Sequence, residues 1–242
     1  MAHIIGIRRE DKNVWEKRTP LVPRDVDHII DHLGIDVYVQ PSNIRVYANG
    51  EYKEVGAKIT EDLSPCEVIF GVKEMPINFF SPGGTYVFFS HTLKGQHYNM
   101  PHLKRMMDLK CNLIDYEGIT NENDRRLIFF GRHAGQAGMI DSLWALGEKL
   151  KKEGVENPFY EIRQTYEYRH LKAAKDDMKL IAERIIEDGL PEELTPMVIG
   201  IAGYGNVSRG AQEVLDFLPV KEISPQELLE LKDSKKYYSR HI

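Results

Sequence analysis

Short apolar runs, separated by polar segments of helical period, set the rhythm of this chain. Ile4–Ile7, Asp36–Gln40, Val68–Val72, Tyr86–Phe89 and Cys111–Tyr116 have the length and composition of strands in an α/β sheet. Between them, Pro23 followed by Val26, Ile29, Ile30 and Leu33 predicts a helix with proline in its first turn and Gly34 just past its end. Pro101–Leu109 predicts another helix, and Arg126–Phe130 a further short strand. The stretch from Ile44 to Thr60 is polar and aromatic and predicts no element. Strand, helix, strand at these lengths is how a parallel sheet begins. Gly131–Met139 then opens a helix carrying Ile140, Leu143, Trp144 and Leu150. Glu161–Gly189 is the longest helical candidate, because Leu171, Ala174, Met178, Ile181 and Ile185 recur at spacings of three and four. It reads either as a connector between two lobes or as one wall of a single core.

Met197–Ala202 is a further apolar run and reads as a buried strand. It leads into Gly203-Tyr204-Gly205-Asn206-Val207-Ser208-Arg209-Gly210-Ala211 and a helix with Val214, Leu215 and Leu218 on one side. Val220–Ile223 follows as the next strand. Strand, glycine-rich turn and helix suit a dinucleotide pyrophosphate, since glycines let backbone N–H groups approach phosphates at a helix N-terminus. Gly203, Gly205, Asn206, Val207 and Ser208 are therefore the expected cofactor residues, although Ser208 replaces the usual third glycine. At the end of Val220–Ile223 stands Ser224 and not the acid that would hold the ribose hydroxyls of NAD, which favours NADP(H), with NAD(H) as the second choice. The architecture expected is α/β: a Rossmann-like parallel-sheet substrate lobe over residues 1–190, including a connecting helix at 161–189, followed by the start of a dinucleotide-binding Rossmann lobe over 191–242. A complete nucleotide domain takes on the order of 100 residues or more. The second lobe is shorter than that, so a shortened chain, a split gene and a natural short protein all stay open.

Composition narrows the partners. The formal net charge of −5 supplies no basic field for nucleic acid. Cys66 and Cys111 alone fit neither a metal site nor a disulfide framework, and point to a reducing compartment. With no run near the roughly 20 apolar residues of a membrane span and no signal-like start, the expectation is a soluble cytoplasmic protein without a metal.

The candidate chemistry lies where the strands end. Lys73 and His91 each follow an apolar run, at the carboxyl edge where open α/β sheets bind ligands. Such a pair can share proton transfer, because a partly desolvated lysine loses basicity and histidine titrates near neutrality; a surface lysine and a loop histidine are the plain alternative. The loop Arg8–Pro20 is rich in Lys and Arg. It is either simply solvated, or its Lys12 and Arg18 hold carboxylates of a small substrate. Asp115, Glu117, Glu122 and Asp124 likewise crowd near Arg125-Arg126 in what reads first as a solvated loop.

Taken together, the motifs resemble the lysine-2-oxoglutarate reductase family, the saccharopine-forming enzymes that share their fold with alanine dehydrogenase and the transhydrogenase N-terminal domain. The resemblance runs through nearly the whole chain. It rests on Gly6-Ile7-Arg8-Arg9-Glu10 with Trp15-Glu16-Lys17-Arg18-Thr19-Pro20-Leu21, on Val72-Lys73-Glu74, and on Ser90-His91-Thr92-Leu93-Lys94-Gly95-Gln96 leading into Tyr98-Asn99-Met100-Pro101. It continues in Leu113–Glu117, Gly135–Ile140, Gly205–Glu213 and Tyr238–His241. The resemblance implies that Lys73 and His91 form the catalytic pair, that Glu74 and Glu117 tune it, and that Lys12, Arg18 and Arg126 face substrate carboxylates. It implies L-lysine and 2-oxoglutarate as substrates, saccharopine as product and NADPH as reductant, and it assigns Arg132-His133 no role. A homodimer or a partner chain completing the nucleotide lobe is the expected assembly. The rival readings are a substrate-binding lobe without turnover and an alanine-dehydrogenase-like oxidoreductase.

Overall fold

The computed structural model describes residues 3–230 and 239–241, so Tyr238 of the last matching run lies outside the described residues. The chain forms two compact units, Met1–Phe129 and Phe130–Ile242.

The first unit is built on a six-stranded, all-parallel sheet: β1 (Ile4–Ile7), β2 (Asp36–Val39), β3 (Lys58–Ile59), β4 (Val68–Phe70), β5 (Thr85–Phe88) and β6 (Asn112–Asp115), in the order 3-2-1-4-5-6. Crossovers run through α1 (Pro23–Leu33), α2 (Asn49–Glu54) and α3 (Met100–Asp108). In α1, Asp25 accepts the Val22 N–H at 3.1 Å, and Gly34 ends the helix at φ 63°, returning its N–H to Ile30 O. That conformation asks for glycine. Of the apolar residues from which α1 is read, Leu33 is exposed. The Ile44–Thr60 stretch contains α2 and β3, and Tyr52 of α2 is wholly buried with its hydroxyl donating to Leu21 O at 2.7 Å.

Side chains of β5 show how the sheet is covered on both faces. Tyr86 and Phe88 pack with Met75, Phe80 and Met106, while Val87 and the following Phe89 pack with Val72 and Tyr116. Alternation sends neighbouring residues to opposite faces, and a parallel sheet buries both. Each such apolar side chain contributes roughly 1.5–3 kcal/mol on burial. Because β1, β4, β5 and β6 run the same way, the loops that follow them all leave at one edge, flanking the point between β1 and β4 where the strand order reverses.

Arg126–Phe130 is not a strand. It doubles back on 119–121 through a turn with Asp124 at φ 56°, making one isolated bridge, Thr120 with Arg126, and a Leu127 N–H to Ile119 O bond.

The second unit starts with α4 (Gly131–Lys152), at 22 residues longer than α5 (Leu171–Asp188). The expected helix at 161–189 is thus shorter than its pattern suggested. His170 caps α5 by accepting the Ala173 N–H at 3.1 Å, and the residues before it form single 3-10 turns at Pro158–Glu161 and Thr165–Glu167. Thr165 is tied to Asp141 through both its N–H and its hydroxyl, which holds the segment out of helix. One core joins Ile140 and Leu143 of α4, Ala174, Met178, Ile181 and Ile185 of α5, and Val214 and Leu215 of α6 (Asn206–Leu215). The boundary expected at 190/191 falls inside this unit, since α4 and α5 share their core with α6. The strands are β7 (Val198–Gly200), β8 (Lys221–Glu222) and β9 (Ser239–His241), parallel in the order 7-9-8. β7 is buried on one side only: Ile199 packs on the core while Val198 is 42% exposed. Ser224 and Glu227 form a reciprocal cap at the start of α7 (Pro225–Glu230). Among the described residues no helix is long and apolar enough to cross a membrane, and no cluster of three or more His, Cys, Asp and Glu side chains could hold a metal ion.

Candidate active site

Three buried carboxylates, each paired with a cation, organise the carboxyl edge of the six-stranded sheet. Glu74, after β4, accepts Lys12 Nζ at 2.5 Å on one oxygen and both His91 Nδ1 at 2.8 Å and Asn99 Nδ2 at 3.1 Å on the other. Its side chain is only 7% exposed. Burial alone would push its carboxyl up, but Lys12, a backbone N–H, Asn99 and His91 outweigh burial and hold it at about 2. An ionised carboxylate only accepts, so the His91 proton facing Glu74 sits on Nδ1. His91 also lies parallel to Phe89 with ring centroids 6.3 Å apart, and its backbone is at φ 52°, a strained value for a residue with a Cβ.

Glu16 receives Arg18 as a two-pronged fork, Nε at 2.7 Å and an η nitrogen at 2.6 Å. Burial pushes Glu16 up; the Arg18 bonds and charge, with the Lys73 charge, bring it below the ordinary range. Glu117 accepts Arg126 at 3.0 Å, with Lys94 Nζ 3.9 Å away, and the Arg126 guanidinium lies over the Phe89 ring at 5.9 Å. Glu117 Oε2 and Arg126 Nε are buried without a hydrogen-bond partner.

The pattern is consistent. The acids are buried to 7–9% exposure, whereas their cations Lys12, Arg18 and Arg126 stand 37–43% exposed. Anions form the floor and cations rise towards solvent, where they would meet an anionic ligand. The structure brings Lys12, Glu74 and His91 into one network and pairs Glu117 with Arg126. It also places Arg18 on a protein carboxylate, so the fork expected for a substrate is already engaged by Glu16. Lys73 reaches the same edge, and its backbone N–H is held by Glu10 at 3.0 Å.

Sequence reasoning gave no role to several groups that build this edge. Glu10 is 7% exposed and spans the N–H groups of Val72 and Lys73 at 2.7 and 3.0 Å. Burial raises its carboxyl above the ordinary range, against those two bonds. Asp115 holds Ser90 by backbone and hydroxyl, and holds the Glu117 N–H at 2.7 Å. Asn99 ties Glu74 to the Ser90 carbonyl. The available signal was an acid or amide beside each loop, which looks the same whether solvated or buried.

In the second unit, the glycine-rich turn has the form a dinucleotide phosphate needs. Gly203 sits at φ 93°, a Cβ added at Gly203 or Gly205 would meet nothing within 4 Å, and no side chain caps α6 at Gly205. Asn206 and Val207, the first residues of α6, are exposed. Ser208 is buried, its hydroxyl accepting Gln212 Nε2 at 2.9 Å, and does not reach the turn. The close-packing glycine is Gly210, where a Cβ would lie 1.9 Å from Arg132 O. Arg132 bonds Glu213 at 2.6 Å across the same helix pair.

Residues 6–137 match the family model described as alanine dehydrogenase/PNT, N-terminal domain. The chain is 39% identical over 233 residues to alpha-aminoadipic semialdehyde synthase of Arabidopsis thaliana, covering 94% of this chain and 22% of that protein. It is 32% identical over 139 residues to saccharopine dehydrogenase [NAD(+), L-lysine-forming] of Yarrowia lipolytica, covering 55% of this chain and 37% of that one. This chain thus spans well under half the length of either relative. Among solved structures, an L-alanine dehydrogenase superposes with a TM-score of 0.58 at 16% identity, over 99% of this chain and 61% of that one, a likeness of fold.

Proposed function

This chain belongs to the alanine dehydrogenase/PNT N-terminal domain family, and on that premise we propose that it carries the substrate site of a saccharopine-forming oxidoreductase, which condenses L-lysine with 2-oxoglutarate and reduces the product with NADPH. The observation that carries the reading is the Glu74 network, a buried ionised carboxylate holding Lys12 and His91 together beside Lys73. Similarity to the two named relatives supports the choice of substrate.

The chemistry asks for what these residues offer. A lysine side chain, with a pKa of about 10.4, must lose a proton before its nitrogen attacks the keto carbon. The resulting carbinolamine must then lose water, which takes an acid in the same pocket. Lys73 and His91 relay these protons, with Glu74 and Glu117 balancing their charge. Lys12, Arg18 and Arg126 orient the substrate carboxylates. Gly203, Gly205, Asn206 and Val207 would hold the dinucleotide, which when bound would supply the hydride. NADPH rather than NADH rests on the absence of an acid at Ser224, and the name of the Yarrowia relative makes NADH the natural comparison.

The test is oxidation of NADPH by this chain with lysine and 2-oxoglutarate, alongside NADH and a pyruvate-plus-ammonia control. Turnover requiring both lysine and 2-oxoglutarate is expected. Thermal stabilisation by either substrate without turnover would leave a binding lobe, and turnover with pyruvate and ammonia instead would overturn the substrate assignment.

A further inference from the structure

Asn99 stands at the N-cap of α3, the position where an asparagine normally accepts a helix N–H, yet its side chain makes no cap bond there. The side chain is instead spent on the loop that carries His91. It is 4% exposed, and its Nδ2 donates to Glu74 Oε1 at 3.1 Å and to the Ser90 carbonyl at 3.0 Å. That carbonyl belongs to the peptide immediately before His91, whose φ of 52° is held against its own preference. The other side of Ser90 is fixed by Asp115, and the Thr92 N–H returns to Ser90 Oγ at 3.2 Å.

We propose that Asn99 is a positioning residue that locks the His91 imidazole to one tautomer and one orientation, by joining the carboxylate that receives Nδ1 to the peptide from which His91 hangs. It touches neither substrate nor cofactor in this reading. Two donors on one nitrogen fix the Glu74 oxygen relative to the Ser90 carbonyl. Without them Glu74 is free to turn towards Lys12, and the Ser90–His91 peptide is free to rotate. Nδ1 then loses its fixed acceptor, and Nε2 carries a proton part of the time. The proposal rests on the reading of His91 as a proton carrier, but its test does not need turnover.

The test is nitrogen-15 NMR of histidine-labelled chain, reading protonation of Nδ1 and Nε2 of His91, assigned by its loss in His91→Gln. The unaltered chain should show a single tautomer with the proton on Nδ1. Asn99→Leu, branched at Cγ as asparagine is but without donors, should show both tautomers in exchange. Asn112→Ala, which removes an exposed bond to Thr85 far along the sheet, should leave the spectrum unchanged. Should Asn99→Leu not fold, Asn99→Ala removes the donors in a smaller side chain, with the same mixing expected. A folded Asn99 variant that keeps the single Nδ1 tautomer would overturn the proposal. If the unaltered chain has no turnover and the variants still mix tautomers, the positioning role stands and the reductase reading falls. If turnover is present, Asn99→Leu should lower kcat at least tenfold with KM changed much less.

Discussion

Charge in the candidate site is set residue by residue, and burial is what separates one acid from the next. Glu74 is buried and surrounded by donors, so it stays ionised down to about pH 2. Its pKa is depressed on folding, so its contribution to stability is complete above the ordinary carboxylate range and is lost as pH falls from there towards about 2. Glu74→Gln should therefore flatten the acid limb of a stability–pH curve measured by urea unfolding, with little change in its slope at neutral pH. Glu10 runs the other way: its raised pKa opposes folding above the ordinary carboxylate range, an opposition relieved by protonation. Lys73→Met and His91→Gln should each lower turnover by about 10²–10⁴-fold, with smaller effects on KM. Steady-state kinetics showing unchanged kcat in both would end their assignment as the proton-transferring pair. The place of Lys73 and His91 at the carboxyl edge was legible because each follows an apolar strand, and the resemblance pointed to Glu74 beside them. Glu10 and Asn99 were not, since a loop acid that spans two backbone N–H groups reads in sequence like any solvated acid.

Elements were legible where one face is apolar at a regular period, and illegible where a tertiary bond decides. The strands and α1 follow their patterns, but the apolar period of α5 was extended back to Glu161, where Asp141 and the His170 cap override it. Arg126–Phe130 failed as a strand because Arg126 turns to Glu117. The crossing of α4 and α6 depends on two glycines. A Cβ at Gly135 would lie 1.9 Å from Val207 O and one at Gly210 as close to Arg132 O, both backbone atoms that cannot step aside. Gly135→Ala or Gly210→Ala should destabilise the second unit by about 1–3 kcal/mol or more, read as a lowered midpoint in denaturant. Gly138→Ala, with nothing within 4 Å, should be neutral or slightly stabilising in the same helix.

For the whole molecule, the sequence carried the α/β class and five of the six strands of the first unit, missing β3 and adding a strand at 126–130, whereas the division of the chain depends on which helices share a core. Periodicity shows that α4 and α5 each have an apolar face, not what that face meets. A fragment ending at Phe129 keeps the entire six-stranded sheet and its packing, so it should unfold cooperatively by circular dichroism. A fragment of residues 191–242 lacks Ile140, Leu143, Met178 and Ile181 and should show no cooperative transition. The all-parallel sheet has one more consequence, for labelling. Both cysteines of the chain, Cys66 and Cys111, lie just ahead of β4 and β6, at the edge opposite the one that carries the chemistry. Burial pushes the Cys66 thiol up to about 11 and raises Cys111 as well, so little thiolate is present at neutral pH. Maleimide dyes should accordingly attach slowly and far from His91, and a cysteine placed at exposed Leu93 would be the first to react, giving a fluorophore beside the site on an otherwise silent background.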